Sequence, residues 1–584
     1  MKCRYNQDIV TFIFLDILYT IPMQRYRSQI GISLLLFVVA FLFRYSLFSF
    51  VNLPWIIYDE YIYLDTARQI LRGSFITHLT LENQIYPPGW SVMLAAVVGF
   101  ISNPITQYRA ALIFTMMLSS SIPVIAYWYT KKLVPALLLI IFMPLVVYSN
   151  SIMSETLYTL SILLFIITMH CVVDNDLKET RHIILSAVVT GFFLSFIGSI
   201  RSFGVVVPSS FALAFVLCII AWRHQHEVRS RLLWYLGGSL ISLAVSNFLL
   251  GLLMPSADKL YNIPSYNQAI TTLFIHPILS FKMIANQLTA IGLEMAWFPL
   301  LAFGWKTWTL FRETHKKGEH ASRRGVLVVR AFLVFLLMTS FGLTLLHMAR
   351  DVVKNPQYLL FTRYMDPVLV VMFMFGVADG LEYLKKQKRH FPSVLYAVLG
   401  VWLLSFVYLY FGFFRETYKF GNTMAVYFLR EEQTNLLWEV IAPSLLLGGV
   451  VWIGLWKQSY KVSVAACILL TAWITWITIP SAREVPRYVV NDYHTYVVEW
   501  DDYMGDSRYP LTVCRMGKTI KNEVYYMYSF LYPYHYLESC DSPKDVISRR
   551  VMVNSYERLD LLQGYACQTE YAFRSGDMVY YCPQ

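Results

Sequence analysis

The sequence predicts an all-α polytopic membrane protein with a small extracytoplasmic C-terminal domain of α+β or β-rich character. Three observations carry this reading. Of the 584 residues, 57% are hydrophobic and only 15% charged, and the mean hydropathy is +0.49; a soluble globular chain is about half apolar and about a quarter charged. The apolar residues fall in blocks of about 17 to 24 with charged clusters between them, the length a helix needs to cross a bilayer. From Ser481 onward the character changes: 11 basic stand against 14 acidic side chains, although the whole chain carries a formal charge of +11. The basic surplus sits at the ends of apolar blocks, which membrane topology explains better than a nucleic-acid partner.

The first span is read at residues 29–50. Lys2, Arg4, Arg25 and Arg27 precede it, and the basic flank places residues 1–28 in the cytoplasm. The weaker apolar run 9–22 is too short to span and lacks a small-residue cleavage site, so it lies in the interface or translation starts at Met23. A polar outer loop follows at 51–88. Residues 89–101 would make a helix of about 20 Å, short of a hydrocarbon core of about 30 Å, and are read as in-plane or re-entrant. The next span, 107–129, ends in Lys131 and Lys132, a return to the cytoplasm that keeps 51–106 outside. Further spans are read at 133–149, 156–173, 183–200, 204–222, 232–253, 288–311, 326–346, 367–383, 392–414, 439–456 and 462–480. That makes about thirteen, in a transmembrane domain at 29–480. The short inner loops then concentrate Lys and Arg, as the positive-inside rule requires, and an odd number of spans puts residues 481–584 outside.

Cysteine usage agrees with that topology, because disulfides persist in oxidising compartments. Cys514, Cys540, Cys567 and Cys582 all lie in the tail, and four cysteines allow three pairings. Tyr-rich runs at 524–537 and 577–581 read as strands. None of the asparagines stands in an N-x-[ST] acceptor, which points to a prokaryotic plasma membrane rather than the endoplasmic reticulum.

The unusual polar residues gather at the outer ends of spans rather than at the bilayer midplane, where a transporter concentrates them. The densest stretch is the first outer loop. Residues 59–72 have helical spacing, with Tyr61, Leu64, Ala67 or Arg68, and Leu71 on one stripe, Asp59 in the first turn and Gly73 as the stop. An amphipathic helix opened by a capping Asp explains that pattern structurally. A carboxylate pair, Asp59-Glu60, at the membrane surface is also placed to act as general base on a hydroxyl brought to the interface. Soluble motifs are missing: there is no phosphate-cradling Gly-rich loop, HExxH, CxxC or serine elbow.

Asp59-Glu60-x-x-Tyr63, then Tyr86-Pro87-Pro88, Ser154-Glu155, Arg201 between two spans, and Arg363-Tyr364-x-x-Pro367 occur in an order that resembles the lipid-carrier-dependent glycosyltransferases of the GT-C class. The pattern is most similar to the protein O-mannosyltransferase and aminoarabinose transferase group and covers about residues 30 to 380. The resemblance implies an inverting enzyme that passes a sugar from a polyprenyl-phosphate donor to a glycan, lipid or protein acceptor. It implies Asp59 as base, Glu60, Tyr63 and Tyr86 around the acceptor and donor, Glu155 as the second acidic residue, and Arg201, Arg363 and Tyr364 at the donor phosphate. Guanidinium groups suit that task because their donors match phosphate oxygens in pairs.

One departure concerns metal: relatives in the aminoarabinose branch carry Glu-Lys before the Pro-Pro, where this chain has Ile85-Tyr86. No cofactor is established by the sequence, and a divalent metal would have to use outer-side groups such as His78, Glu82 or His276. Residues 254–287 read as a long outer loop able to cover a carrier lipid. The rival readings are a lipid flippase or transporter and a non-catalytic membrane subunit. Against the transporter, the chain shows no paired halves with matching broken spans.

Overall fold

The computed structural model describes residues 23–73, 86–175, 180–253, 264–317, 324–353, 362–386, 399–408, 436–455, most of 465–487, and five tail segments at 512–515, 536–539, 549–554, 568–572 and 577–582. The chain divides into two units. The first comprises Met1–Leu47, Thr115–Ser149 and Ser154–Ala482; the second comprises Phe48–Phe114, Asn150–Met153 and Arg483–Gln584.

The helices in chain order are α1 (Met23–Phe48), α2 (Ile57–Leu71), α3 (Gly89–Val98), α4 (Pro104–Thr130), α5 (Leu133–Ile140), α6 (Met143–Val147), α7 (Glu155–Asn175), α8 (Thr180–Ile200), α9 (Val206–Ala221), α10 (His226–Leu253), α11 (Pro264–Ile275), α12 (Pro277–Glu294), α13 (Phe298–Lys317), α14 (Arg324–Asp351) and α15 (Asp366–Lys386). This is an integral membrane protein. Among the described residues six helices are long and apolar enough to cross a bilayer, and eight if each of two bent pairs counts as one span.

That is fewer than the thirteen spans read from hydropathy, and the causes are local. The span read at 288–311 is two helices broken at Met295–Trp297, where Ala296 and Trp297 adopt φ of 48° and 54°. Gly292 makes the break possible: a Cβ there would stand 2.0 Å from the Trp297 ring, which folds back onto it. The span at 133–149 is α5 and α6 bent by 49°, with proline at the start of the second helix, where its missing N–H costs nothing. Residues 204–222 and 439–456 contain the shorter apolar helices Val206–Ala221 and Trp438–Gly448. The stretch read as a loop at 254–287 holds α11 and most of α12, bent against each other by 102°. Residues 392–414 and 462–480 lie partly, and the run 9–22 wholly, outside the described residues. Hydropathy windows count apolar residues and do not register where the backbone breaks, so within the described residues one apolar block can hold two helices or a short one.

Within the first unit, small residues let helices approach and polar side chains tie them, as expected where apolar burial gives no preference for protein over lipid. A Cβ at Gly191 of α8 would lie 2.5 Å from the Ser239 carbonyl of α10, and Ser242 Oγ donates to the Val188 carbonyl at 2.9 Å across the same pair. A Cβ at Gly376 of α15 would lie 2.0 Å from the Pro299 carbonyl of α13. Phe165 of α7 packs against Phe211 of α9 at 5.9 Å and Phe332 of α14 at 5.4 Å between ring centroids. Arg330 of α14 donates through Nη2 to both oxygens of Asp379 on α15 at 2.7 Å, a buried charge pair between the two helices.

The second unit contains α2, α3 and the tail strands β1 (Thr512–Arg515), β2 (Tyr536–Ser539), β3 (Arg549–Asn554), β4 (Gln568–Ala572) and β5 (Asp577–Cys582). They form one sheet in the order β2-β1-β3-β5-β4. The β1 strand runs parallel to β2 and β3, whereas β3-β5 and β5-β4 are antiparallel. Cys514 faces Val551, which faces Tyr580, so β3 separates the strands of Cys514 and Cys582. Two strand spacings come to about 9.5 Å, beyond the Cα reach of a disulfide of about 7 Å. One of the three pairings, Cys514 with Cys582, is thereby excluded; Cys540 and Cys567 lie outside the described residues.

Candidate functional site

In the second unit, helix α2 begins at Ile57 without a side-chain cap and carries Asp59 and Glu60 in its first turn, where carboxylates are favoured by the unpaired N–H groups and the helix dipole. The two neighbours have different surroundings. Glu60 is fully buried. Its Oε2 accepts from the backbone N–H groups of Trp55 and Ile56, both at 2.8 Å. Its Oε1 accepts from the Ile152 N–H and the Tyr108 hydroxyl, also at 2.8 Å. Burial nevertheless outweighs these four bonds and pushes the carboxyl up to about 7. Trp55 Nε1 donates to the Asn150 carbonyl and Trp90 Nε1 to the Ile152 carbonyl, so Glu60 and two indoles fasten residues 150–152 to the loop before α2 and to α3.

Asp59, by contrast, is half-buried, and its Oδ1 accepts from the Tyr86 hydroxyl at 2.6 Å. The Tyr86 ring packs on buried Tyr63 at 5.2 Å between centroids. Tyr86-Pro87-Pro88 leads directly into α3, with Pro88 as its N-cap at φ −80°, so the two prolines fix the approach of Tyr86 to α2. Asp59, Glu60, Tyr63 and Tyr86, four of the candidate residues, therefore stand together.

The first unit assembles the other four. Glu155 is the first residue of α7 and fully buried. Arg201 lies in the one-residue link between α8 and the 3-10 turn Ser202–Val205; Arg363 lies just before α15. Both reach the same carboxylate oxygen: Arg201 Nη1 stands 3.0 Å and Arg363 Nε 2.5 Å from Glu155 Oε1. The Arg201 guanidinium also covers the Tyr364 ring at 4.9 Å, and Tyr364 meets His347 edge-on at 5.3 Å. Residues 155, 201 and 363 are far apart in sequence, yet they make one charge cluster.

Three members of this neighbourhood escaped the sequence reading. Tyr148 donates its hydroxyl to Asp366 Oδ2 at 2.5 Å, and buried Glu294 lies beside Asp366 and Thr362. Asp366 occupies one of the unspecified positions of Arg363-Tyr364-x-x-Pro367. Glu294 stands alone in an apolar run, and an isolated carboxylate at such a place was the signal available. Among the described residues no group of three His, Cys, Asp or Glu side chains converges as a metal site. His276 is exposed, and His78 and Glu82 lie outside the described residues.

No family model matches the sequence, and neither does any curated protein. Solved structures do match over nearly the full chain. The crystal structure of ArnT from Cupriavidus metallidurans bound to undecaprenyl phosphate superposes with a TM-score of 0.54 at 13% identity, covering 94% of this chain and 98% of that one. The chain has the ArnT fold. The apo state of the same ArnT superposes with a TM-score of 0.51, again at 13% identity, over 96% and 98% of the two chains. At this identity the likeness to ArnT concerns architecture, and chemistry has to be argued from the residues.

Proposed function

We propose that the protein is an inverting glycosyltransferase that takes a sugar from a polyprenyl-phosphate donor and passes it to a glycan, lipid or protein acceptor at the outer face of the membrane. The observation that carries this reading is the convergence of Arg201 and Arg363 on Glu155, with Tyr364 beneath Arg201. Two guanidinium groups held on one buried carboxylate are oriented in advance, and they offer planar paired donors to a phosphate that enters beside them. The ArnT structure bound to undecaprenyl phosphate supports a lipid-phosphate ligand for this fold.

The chemistry asks little else. Asp59 takes the proton from the acceptor hydroxyl or amine as that atom attacks the anomeric carbon. The bond from the anomeric carbon to the phosphate oxygen breaks, the electron pair leaves with the polyprenyl phosphate, and the configuration inverts. Arg201 and Arg363 stabilise the charge that develops on the leaving phosphate. Tyr86, donating to Asp59 Oδ1, holds the base in one orientation, and Tyr63 supports Tyr86. Glu60 contributes by fixing the start of α2, on which Asp59 stands. The Lys and Arg of the basic loops fit an N-terminus in the cytoplasm, and the four tail cysteines a C-terminal domain outside, in a prokaryotic plasma membrane.

The test is transfer of labelled sugar from a polyprenyl-phosphate donor in membranes holding equal amounts of wild-type protein or Asp59→Asn. Loss of about 10² to 10⁴ in rate is expected from removing a general base; undiminished transfer by the Asn variant overturns the assignment.

A further inference from the structure

The first unit holds a buried acid that the transfer chemistry leaves without a task. Glu294, the last residue of α12, is only 3% exposed, and Asp366, the first residue of α15, is fully buried. The side chains that act on Glu294 are Asp366 and Thr362, neither of them a cation. Around Asp366 stand Tyr148, Thr362, Glu155 and Arg201. Tyr148 donates to Asp366 Oδ2 at 2.5 Å, whereas Asp366 Oδ1 and both oxygens of Glu294 are buried outside any hydrogen bond to a described residue. The Thr362 hydroxyl, which lies beside both acids, has a single proton to give.

An ionised carboxyl buried without an ion partner or a donor loses its hydration with nothing in return. Two carboxyls side by side avoid this by holding one proton between them, the neutral one donating its O–H to the other. Glu294 is the neutral member, because Asp366 already has the Tyr148 hydroxyl as a donor and lies in the field of Arg201.

The backbone supplies an independent observation. Directly after Glu294, Ala296 and Trp297 take φ of 48° and 54°, a conformation that is strained in residues with a Cβ. Such strain persists only where surrounding contacts impose it, and it gathers at functional sites. Here the Trp297 N–H donates to the Gly292 carbonyl at 2.7 Å and its indole Nε1 to Ser405 Oγ at 3.0 Å. The break ends α12 at Glu294 and leaves its carboxyl against the start of α15. There the N–H groups of Met365 and Asp366 donate to the Thr362 carbonyl at 2.7 and 3.1 Å, so residues 362–366 form one turn that includes Arg363 and Tyr364.

We propose that Glu294 is a neutral acid that donates its carboxyl proton to Asp366, and that this bond makes it a positioning residue for Arg363 and Tyr364 at the lipid phosphate. The positioning role rests on the reading of Arg363 and Tyr364 as donor-phosphate residues; the acid pair does not.

Two measurements on the full-length protein in an ester-free detergent test this. Infrared difference spectroscopy of wild type against Glu294→Gln at neutral pH is expected to show the carbonyl band of a protonated carboxyl, shifted in heavy water and lost in the variant. Binding of undecaprenyl phosphate is expected to stay within about threefold of wild type in Glu294→Gln, whose amide still donates to Asp366. It should weaken about tenfold or more in Glu294→Met, which has no donor, the effect of one charge-assisted contact. Because the Met variant can lose its fold, unfolding midpoints are measured alongside, and the Gln variant and the infrared band decide without it. A spectrum without the band, or a tenfold loss in the Gln variant, overturns the neutral acid. A folded Met variant that binds as wild type does overturns the positioning role. Wild type that shows the band but binds no undecaprenyl phosphate overturns the donor reading, and the positioning role with it, while supporting the acid pair.

Discussion

Replacing Glu60 should show how much of the second unit rests on one carboxylate. Its four partners are all donors: three backbone N–H groups and the Tyr108 hydroxyl, each at 2.8 Å. In Glu60→Gln the amide NH₂ must face one pair. Turned toward Trp55 and Ile56 it strands two N–H groups; turned toward Tyr108 and Ile152 it strands only one, because a tyrosine oxygen can accept. The second orientation is therefore preferred, and one orphaned buried N–H costs about 1 to 3 kcal/mol. Glu60→Ala leaves all three N–H groups without their acceptor and should cost on the order of 5 kcal/mol, well above a typical substitution.

The pH dependence has a definite sign. Glu60 binds its proton more tightly in the folded protein, at about 7 against an ordinary value of 4.5. Its contribution is fully present below pH 4.5 and is lost as the pH rises toward 7, a change of about 3 kcal/mol. The assay is chemical unfolding in detergent followed by tryptophan fluorescence, at pH values from 4.5 to 7.5, for wild type and Glu60→Gln. The difference between the two curves should show wild type losing stability relative to the variant as the pH rises through this window. A difference that is flat with pH, or an Ala variant as stable as wild type, refutes the reasoning that a desolvated carboxyl hub organises this unit.

Other expectations follow from the same geometry. Breaking the buried pair with Asp379→Asn or Arg330→Met should cost about 3 to 5 kcal/mol in unfolding experiments, with the Arg330→Met/Asp379→Leu double variant recovering most of it. Gly376→Leu should lower stability sharply, since even a Cβ would stand 2.0 Å from the Pro299 carbonyl and backbone cannot give way cheaply; thermal unfolding of the purified variant measures it. Peptide mapping without reduction should find no Cys514–Cys582 disulfide, because β3 lies between their strands.

The architecture was legible in the sequence where it depends on composition and order. Apolar blocks, basic clusters and a tail of different character establish a multi-span protein, and the ordered motifs pick out Glu155, Arg201 and Arg363, which meet on one oxygen. What escaped depends on the third dimension or on the backbone. The break at Met295–Trp297 leaves hydropathy unchanged, since Trp and Phe stay apolar on both sides of it. Glu60 reads as a twin of Asp59, and only the approach of Trp55, Tyr108 and Ile152 separates a fully buried carboxyl that holds the structure from a half-buried one that we propose as the base. Asp366 sat in plain view inside a motif, at a position the motif leaves unspecified.

The measurement that bears most directly on the central claim is equilibrium binding of undecaprenyl phosphate to the purified protein, compared with the Arg201→Gln/Arg363→Gln variant at matched folding. The account predicts saturable binding that falls at least about a hundredfold when both guanidinium groups are removed, each contributing one charge-assisted contact. Undecaprenyl phosphate bound equally well by the double variant would contradict it.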